Sequence, residues 1–252
     1  MKQKVLLCLV TIFLCTTPVY GDTVTGQWGL HFEKNSNQPE IIEDIDYLTS
    51  VDTYYRDLSG EKVIYLTFDA GYEAGYTEQM LDTLNKYNAH GTFFLTASYI
   101  KNNPSIVLRM VEENHTVANH TVTHPDMSRV SPEQFEKELI GVEEIFFEIT
   151  ETQLPKYFRP PQGAYDKKSL ERAKDLGYKT VFWSLAYRDY DENNQPSHSY
   201  AYDKLIPNIH EGAIVLLHNM SRTNAEILDG LLEKYLEMGY IFVSLENFIA
   251  PY

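Results

Sequence analysis

Two histidines four residues apart, His120 and His124, stand in the run V-A-N-H-T-V-T-H-P. Imidazoles at such spacing can supply two nitrogen ligands to one metal ion. An apolar run upstream, V-I-Y-L-T-F-D, closes on the carboxylate of Asp69. Another downstream, A-I-V-L-L-H, closes on a third histidine, His218. Metal-assisted hydrolysis needs these parts: a cation to acidify water, a base to accept a proton and an acid to supply one. Each part also has a plainer reading. An Asp after a strand often starts a turn, and a strand-end histidine can simply satisfy its neighbours. On a helix the spacing of four would put both imidazoles on one face. Pro125 disfavours helical backbone at His124, so a tight loop is equally open. The proline-braced segment R-P-P-Q-G-A-Y (159–165) adds Arg159, which could pair with Asp69 and hold it ionised. Backbone N–H groups near Gln162 and Gly163 could face an oxyanion.

These residues need a scaffold that brings them to one edge. From Glu61 onward the chain alternates strand-like and helix-like patterns. Strands are expected at 62–68, 91–96, 115–118, 156–159, 178–183, 213–217 and 240–244. Between them Thr77 caps a helix to about Asn88, Pro104 sits in the first turn of another, and Ser131-Pro132-Glu133 begins a third to about Ile149. Further helices are expected near 167–176, 201–210 and 223–238, the last stopping at Gly239. Such alternation implies an α/β fold with a mainly parallel sheet. About seven strands suit either an incomplete barrel or an open doubly wound sheet. Asp69, His120, Arg159, Trp183 and His218 each fall at or just past the C-terminal end of an expected strand, which in α/β barrels is the catalytic rim.

The chain of 252 residues carries a net charge of −15 and a pI near 4.9. That excludes the basic face a nucleic-acid binder needs and disfavours adsorption to anionic lipid. Lys2 and Lys4 precede the apolar run 5–15, and Val19 and Gly21 suit the small-residue positions of a signal-peptidase site. Residues 1–21 therefore read as a signal peptide cut after Gly21, too short to span a bilayer comfortably; an uncleaved N-terminal anchor is the alternative. Loss of Lys2 and Lys4 takes the net charge from −15 to −17. Both cysteines, Cys8 and Cys15, leave with this segment, so any metal must be held by His, Asp or Glu. Residues 22–60 read as an arm packed on a catalytic domain of residues 61–250.

The ordered set T-F-D-x-G-Y, H-T-V-T-H, R-P-P-x-G, W-S-x(4)-D-Y and L-L-H resembles the polysaccharide deacetylases, the NodB-homology enzymes of carbohydrate esterase family 4, over about residues 61–248. Within that family, T-F-D-x-G-Y-E, F-W-S-x-A, Y-A-Y-D, L-L-H-x-x-S-R-x-N-A-E and the W-G at residue 28 are similar to the delta-lactam-forming muramic acid deacetylases of spore cortex. The resemblance implies a distorted (β/α) barrel that hydrolyses an N-acetyl group. It implies Asp69 as catalytic base, His218 as catalytic acid, Arg159 as the arginine of the proline loop, and His120 and His124 as ligands of a divalent metal, most simply zinc. The rim residues expected to hold oxyanion or substrate are Gln162, Gly163, Tyr165, Trp183, Asp189, Arg188 and Arg222. Three positions depart from the family pattern. Ala70 replaces a second Asp that is usually the third metal ligand. Gln162 stands where Tyr or Arg is common. Ala186 replaces the Asp that often tunes the catalytic histidine, although Asp189 lies nearby.

The resemblance implies a secreted, monomeric enzyme of the cell wall, in a sporulating cell of the space between the spore membranes. Its partner would be the glycan strand of peptidoglycan, with no nucleic acid and no stable membrane insertion. Muramic acid is the expected sugar, leading to muramic delta-lactam. Its lactyl carboxylate would need a cation, and Arg188 and Arg222 follow rim segments, although each could be a solvated surface charge. The alternatives are an N-acetylglucosamine deacetylase acting on peptidoglycan, chitin or another polysaccharide, and a wall-binding protein without catalysis.

Overall fold

The structure is a computed structural model that describes residues 26–31 and 38–248; the expected signal peptide lies outside the described residues. In chain order the elements are β1 (Gly26–Gln27), α1 (Ile45–Ser50), β2 (Thr53–Tyr54), β3 (Val63–Ala70), α2 (Thr77–Lys86), β4 (Thr92–Leu95), α3 (Ala97–Asn102), α4 (Pro104–Glu112), β5 (Thr116–Asn119), α5 (Pro132–Thr150), β6 (Tyr157–Phe158), β7 (Ala164–Tyr165), α6 (Lys167–Asp175), β8 (Lys179–Val181), β9 (Leu185–Ala186), α7 (His198–Leu205), β10 (Ala213–His218), α8 (Arg222–Glu237) and β11 (Ile241–Phe242). One sheet runs β2-β8-β6-β5-β4-β3-β10-β9, with β11 beside the start of β3. Every pair in it is parallel. The end strands β2 and β9 do not pair with one another, so the barrel is incomplete. Among the described residues no helix is long and apolar enough to cross a membrane.

The sheet has nine strands where about seven were expected. The extra two, β2 and β9, are two residues each, too short to show alternation in a sequence. β2 lies inside the stretch expected to be an arm and forms one end of the sheet, so the arm is partly built into the barrel. The arm's first segment clamps the proline loop: β1 pairs antiparallel with β7, and Trp28 stacks on Phe182 at 4.4 Å.

Side chains alternate along the strands. On β3, Tyr65 joins the interior cluster with Phe94, Val181 and Ile214, whereas Ile64, Leu66 and Phe68 pack in the larger cluster that includes the helix residues Leu81, Val107 and Leu228. Two residues beyond Thr67, Asp69 therefore shares the interior side at the mouth of the barrel. Burial of both faces explains why β3 and β10 read as almost continuous apolar runs.

Most helix signals match their elements. Ser131 Oγ caps α5 by accepting the Gln134 N–H at 3.2 Å, Pro104 opens α4, and Gly239 takes a φ of 84° just past α8. Thr77 is different. It is the first residue inside α2, not its cap. The carboxylate of Glu73 takes the capping role, accepting N–H bonds from Gly75 at 2.7 Å, Tyr76 at 2.9 Å and Thr77 at 3.3 Å, as well as the Thr77 hydroxyl.

Candidate active site

Asp69 is the last residue but one of β3 and His218 is the last of β10, and the two are register partners on adjacent strands. Their relative position is thus set by the sheet's own hydrogen bonds. Arg159 follows β6 and is wholly buried. Its Nη1 donates to Asp69 Oδ1 at 2.8 Å, its Nε to the Val181 carbonyl at 2.9 Å and its Nη2 to the Phe182 carbonyl at 3.1 Å. The guanidinium carbon stands 4.1 Å from the ring centroid of Phe94 and 5.7 Å from that of Trp183. Burial opposes ionisation of Asp69, but Arg159, His120 and His218 outweigh it and hold the carboxyl below the usual carboxylate range.

His120 and His124 lie in the loop after β5, not on a helix. Thr121 and His124 both take left-handed backbone, with φ of 71° and 58°. The Asn119 side chain accepts the Thr121 N–H, and Thr121 Oγ1 accepts the His124 N–H. This tight turn brings the two rings to 4.9 Å, edge to face. His120 Nδ1 meets the Arg159 carbonyl at 2.9 Å, an acceptor, so Nδ1 carries the proton and Nε2 keeps its lone pair. Nε2 points toward Asp69 Oδ2, 3.7 Å away. Burial pushes the His120 pKa down to about 4 and lowers that of His124 as well. Two neutral imidazoles fit a divalent cation as a pair of nitrogen donors. Ala70, buried at the end of β3, offers only a methyl, and among the described residues no three of His, Cys, Asp and Glu gather as a metal-holding group. Solvent or substrate would have to fill the remaining positions.

His218 is held from behind. Its Nδ1 lies 2.7 Å from Asp189 Oδ1, and its backbone N–H donates to Asp189 Oδ2 at 2.8 Å. Asn224 Nδ2 donates to the same Oδ2 at 2.6 Å and to the His218 carbonyl at 3.0 Å, while the Tyr187 hydroxyl bonds Asn224 Oδ1. Burial disfavours the imidazolium, but the charges of Asp189 and Asp69 prevail and raise the His218 pKa above its ordinary value. Asp189 therefore supplies the carboxylate behind the His218 ring that the family pattern leads one to expect at the position of Ala186. It is 1% exposed with both oxygens taken, so it does not face substrate as expected from the sequence.

Other rim residues separate. The Gly163 N–H donates to Pro160 at 3.0 Å and is not free for an oxyanion, whereas the Gln162 N–H, at a φ of 59°, donates to no described residue. Tyr165 is buried in the arm cluster with its hydroxyl on Glu43, away from substrate. Trp183 is half-buried behind Arg159, its carbonyl accepting the Trp28 indole N–H at 2.9 Å. Arg222 opens α8 and lies 3.6 Å from Glu226. Arg188 is exposed and stacks 5.7 Å from the ring centroid of Tyr190.

Sequence reasoning missed the supporting residues. Asn224 lies in the L-L-H-x-x-S-R-x-N-A-E segment, and Glu73 follows T-F-D-x-G-Y, but neither announces its partner. Glu73 also accepts the Tyr99 hydroxyl at 2.6 Å. Asn219 links the two strand ends: its N–H donates to the Asp69 carbonyl, and its side-chain amide donates to the Tyr72 carbonyl and to Thr77 Oγ1. These residues tie the loop after β10, which carries His218, to the loop after β3, which carries Asp69.

Comparison with known proteins points to one family. The family model described as polysaccharide deacetylase matches residues 57–181. The peptidoglycan-N-acetylmuramic acid deacetylase PdaA of Bacillus subtilis is 39% identical over 251 residues, covering 98% of this chain and 95% of that protein. Its solved structure, a family 4 carbohydrate esterase, superposes with a TM-score of 0.85 at 40% identity, over 89% of this chain and 97% of that one. A family 4 carbohydrate esterase from Bacillus anthracis gives a TM-score of 0.75 at 36% identity, over 91% and 97%. The peptidoglycan-N-acetylglucosamine deacetylase PgdA of Listeria monocytogenes is 33% identical over 186 residues, 74% of this chain and 38% of that protein.

Proposed function

The chain belongs to the polysaccharide deacetylase family, carbohydrate esterase family 4, and from that premise we propose that it removes the N-acetyl group of N-acetylmuramic acid in peptidoglycan. The observation that carries the chemistry is a base and an acid held in opposite protonation states at paired strand ends. Asp69 is kept ionised and His218 is biased toward its protonated form. A wall-binding module without catalysis has no use for such a pair.

In this reading Asp69 takes a proton from the attacking water, and His218 gives one to the departing amine. Arg159 fixes Asp69 through Oδ1 and leaves Oδ2 toward the water. The Gln162 N–H faces the developing oxyanion. His120 and His124 would hold a divalent cation, zinc by ligand type, which would supply Lewis-acid polarisation of the acetyl carbonyl and a more acidic water. The choice of muramic acid rests on similarity to PdaA across 98% of the chain. Once the amine is free, it lies beside the lactyl carboxyl of the same sugar, so proximity favours closure to the delta-lactam. The leader-like segment at residues 1–21 and a wall polymer as substrate support a reaction outside the cytoplasm.

The test is to incubate residues 22–252 with intact peptidoglycan and with peptide-stripped glycan, then read the products by mass spectrometry. Muramic acid losing acetyl, with glucosamine intact, is the expected result. Deacetylated glucosamine beside intact N-acetylmuramic acid would replace this substrate with the one named for PgdA.

A further inference from the structure

We infer that Arg188 is a specificity residue that reads the lactyl carboxylate of muramic acid, an inference that rests on the substrate reading above. Arg188 directly precedes Asp189, which is pinned to both the backbone and the ring of His218. Its backbone is therefore anchored to the acid. Its guanidinium stacks on Tyr190, and the Tyr190 ring stands edge-on to the His218 ring at 5.9 Å. The two separations put the guanidinium carbon within about 12 Å of the imidazole that faces the leaving amine.

Arg188 is also available. The chain has 36 acidic residues against 21 basic ones, yet the stack on Tyr190 is the contact Arg188 makes among the described residues. Arg159 is consumed by Asp69, and Arg222 is engaged by Glu226. At 5.7 Å from the Tyr190 ring centroid the guanidinium keeps a cation–π contact that occupies none of its N–H donors, which remain open to a ligand.

The substrate supplies the matching group. In muramic acid the lactyl ether sits on the carbon next to the acetamido carbon. Joining its carboxyl to the amine closes a six-membered ring, so the carboxylate lies within a few ångströms of the reacting nitrogen. N-acetylglucosamine has a hydroxyl there and offers no charge. A planar fork of donors within that distance of the acid would distinguish the two sugars by one bidentate, charge-assisted contact.

The experiment compares two forms of one peptide-free N-acetylmuramic acid oligosaccharide: the free lactyl carboxylate and its methylamide. kcat/KM for acetate release is measured with wild type, Arg188→Gln and Arg188→Lys. Wild type should favour the carboxylate by about 10- to 100-fold, the range of a charge-assisted hydrogen bond. In Arg188→Gln that ratio should collapse toward one, and Arg188→Lys should restore part of it. A wild-type ratio retained by Arg188→Gln overturns the inference and leaves muramic acid as the substrate. Equal losses on both oligosaccharides also overturn it, because Arg188 would then be acting through Asp189 and His218. Wild type that releases acetate from glucosamine oligomers but from neither muramic substrate removes the substrate reading and the inference with it.

Discussion

Replacing Asp189 by Asn should cripple the acid while barely changing the shape of the site. Oδ1 of Asp189 faces the His218 ring, and Oδ2 receives both the His218 N–H and Asn224 Nδ2. An asparagine has one acceptor and one donor end to divide between them. Turning its oxygen toward the two donors at the Oδ2 position satisfies more bonds, and its NH₂ then confronts His218 Nδ1. The imidazole must expose an unprotonated Nδ1 to that donor, which opposes formation of the imidazolium. Loss of a charge-assisted hydrogen bond, ~1.5–3 kcal/mol, lowers the imidazolium population about 10- to 150-fold. A fully inverted tautomer costs more, about 10⁴-fold in the serine-protease triad. The sign of the pH effect follows from the raised His218 pKa. In wild type the protonated acid persists above its ordinary range and activity falls as pH rises through that raised value. In Asp189→Asn the alkaline limb must move to lower pH. The assay is the pH profile of kcat for acetate release, with circular dichroism to verify folding. An unmoved alkaline limb in a folded variant with near-normal turnover would refute the assignment of Asp189 as the group that sets His218.

Asp69→Asn should lose ~10²–10⁴-fold in acetate release, the usual worth of a general base, while Arg159 keeps an acceptor and the fold survives; turnover near wild type would remove Asp69 from the proton transfer. His120→Ala/His124→Ala should abolish uptake of zinc in titration calorimetry, and Ala70→Asp, by adding a carboxylate, should tighten it. Equal uptake by wild type and the double variant would place the cation elsewhere. Gly163→Ala should lower the melting temperature and slow turnover together. Its φ of 64° disfavours a side chain by ~1–2 kcal/mol, and a Cβ there would stand 2.8 Å from the Trp183 ring and 3.1 Å from Trp28. A variant as stable and active as wild type would mean that the arm and the proline loop give way without cost.

What could be read from the sequence depended on the range of the interaction. Asp69 and His218 were legible because strands buried on both faces leave long apolar runs, and a polar residue closing such a run stands out at the barrel mouth. Arg159 was legible as a partner for Asp69 because the proline loop confines it and little else there carries charge. The conformation at His124 was not legible. Spacing alone allowed a helix, and the outcome depends on Asn119 and Thr121 side chains bonding backbone two and three residues away. The least legible part is the support behind the acid. Asn224 is 35 residues from Asp189, and Tyr187 is 37 from Asn224, so only the docking of α8 against the β9 loop brings them together. The same limit explains Asp189. In sequence it looked like one more rim residue, because alternation predicts which face a strand residue takes but not where a loop residue turns. Its neighbour Arg188 points outward while Asp189 is buried against His218, so adjacent residues of opposite charge serve opposite sides of the acid. The carboxylate sets its protonation from within, and the guanidinium remains open at the surface where a charged sugar would arrive.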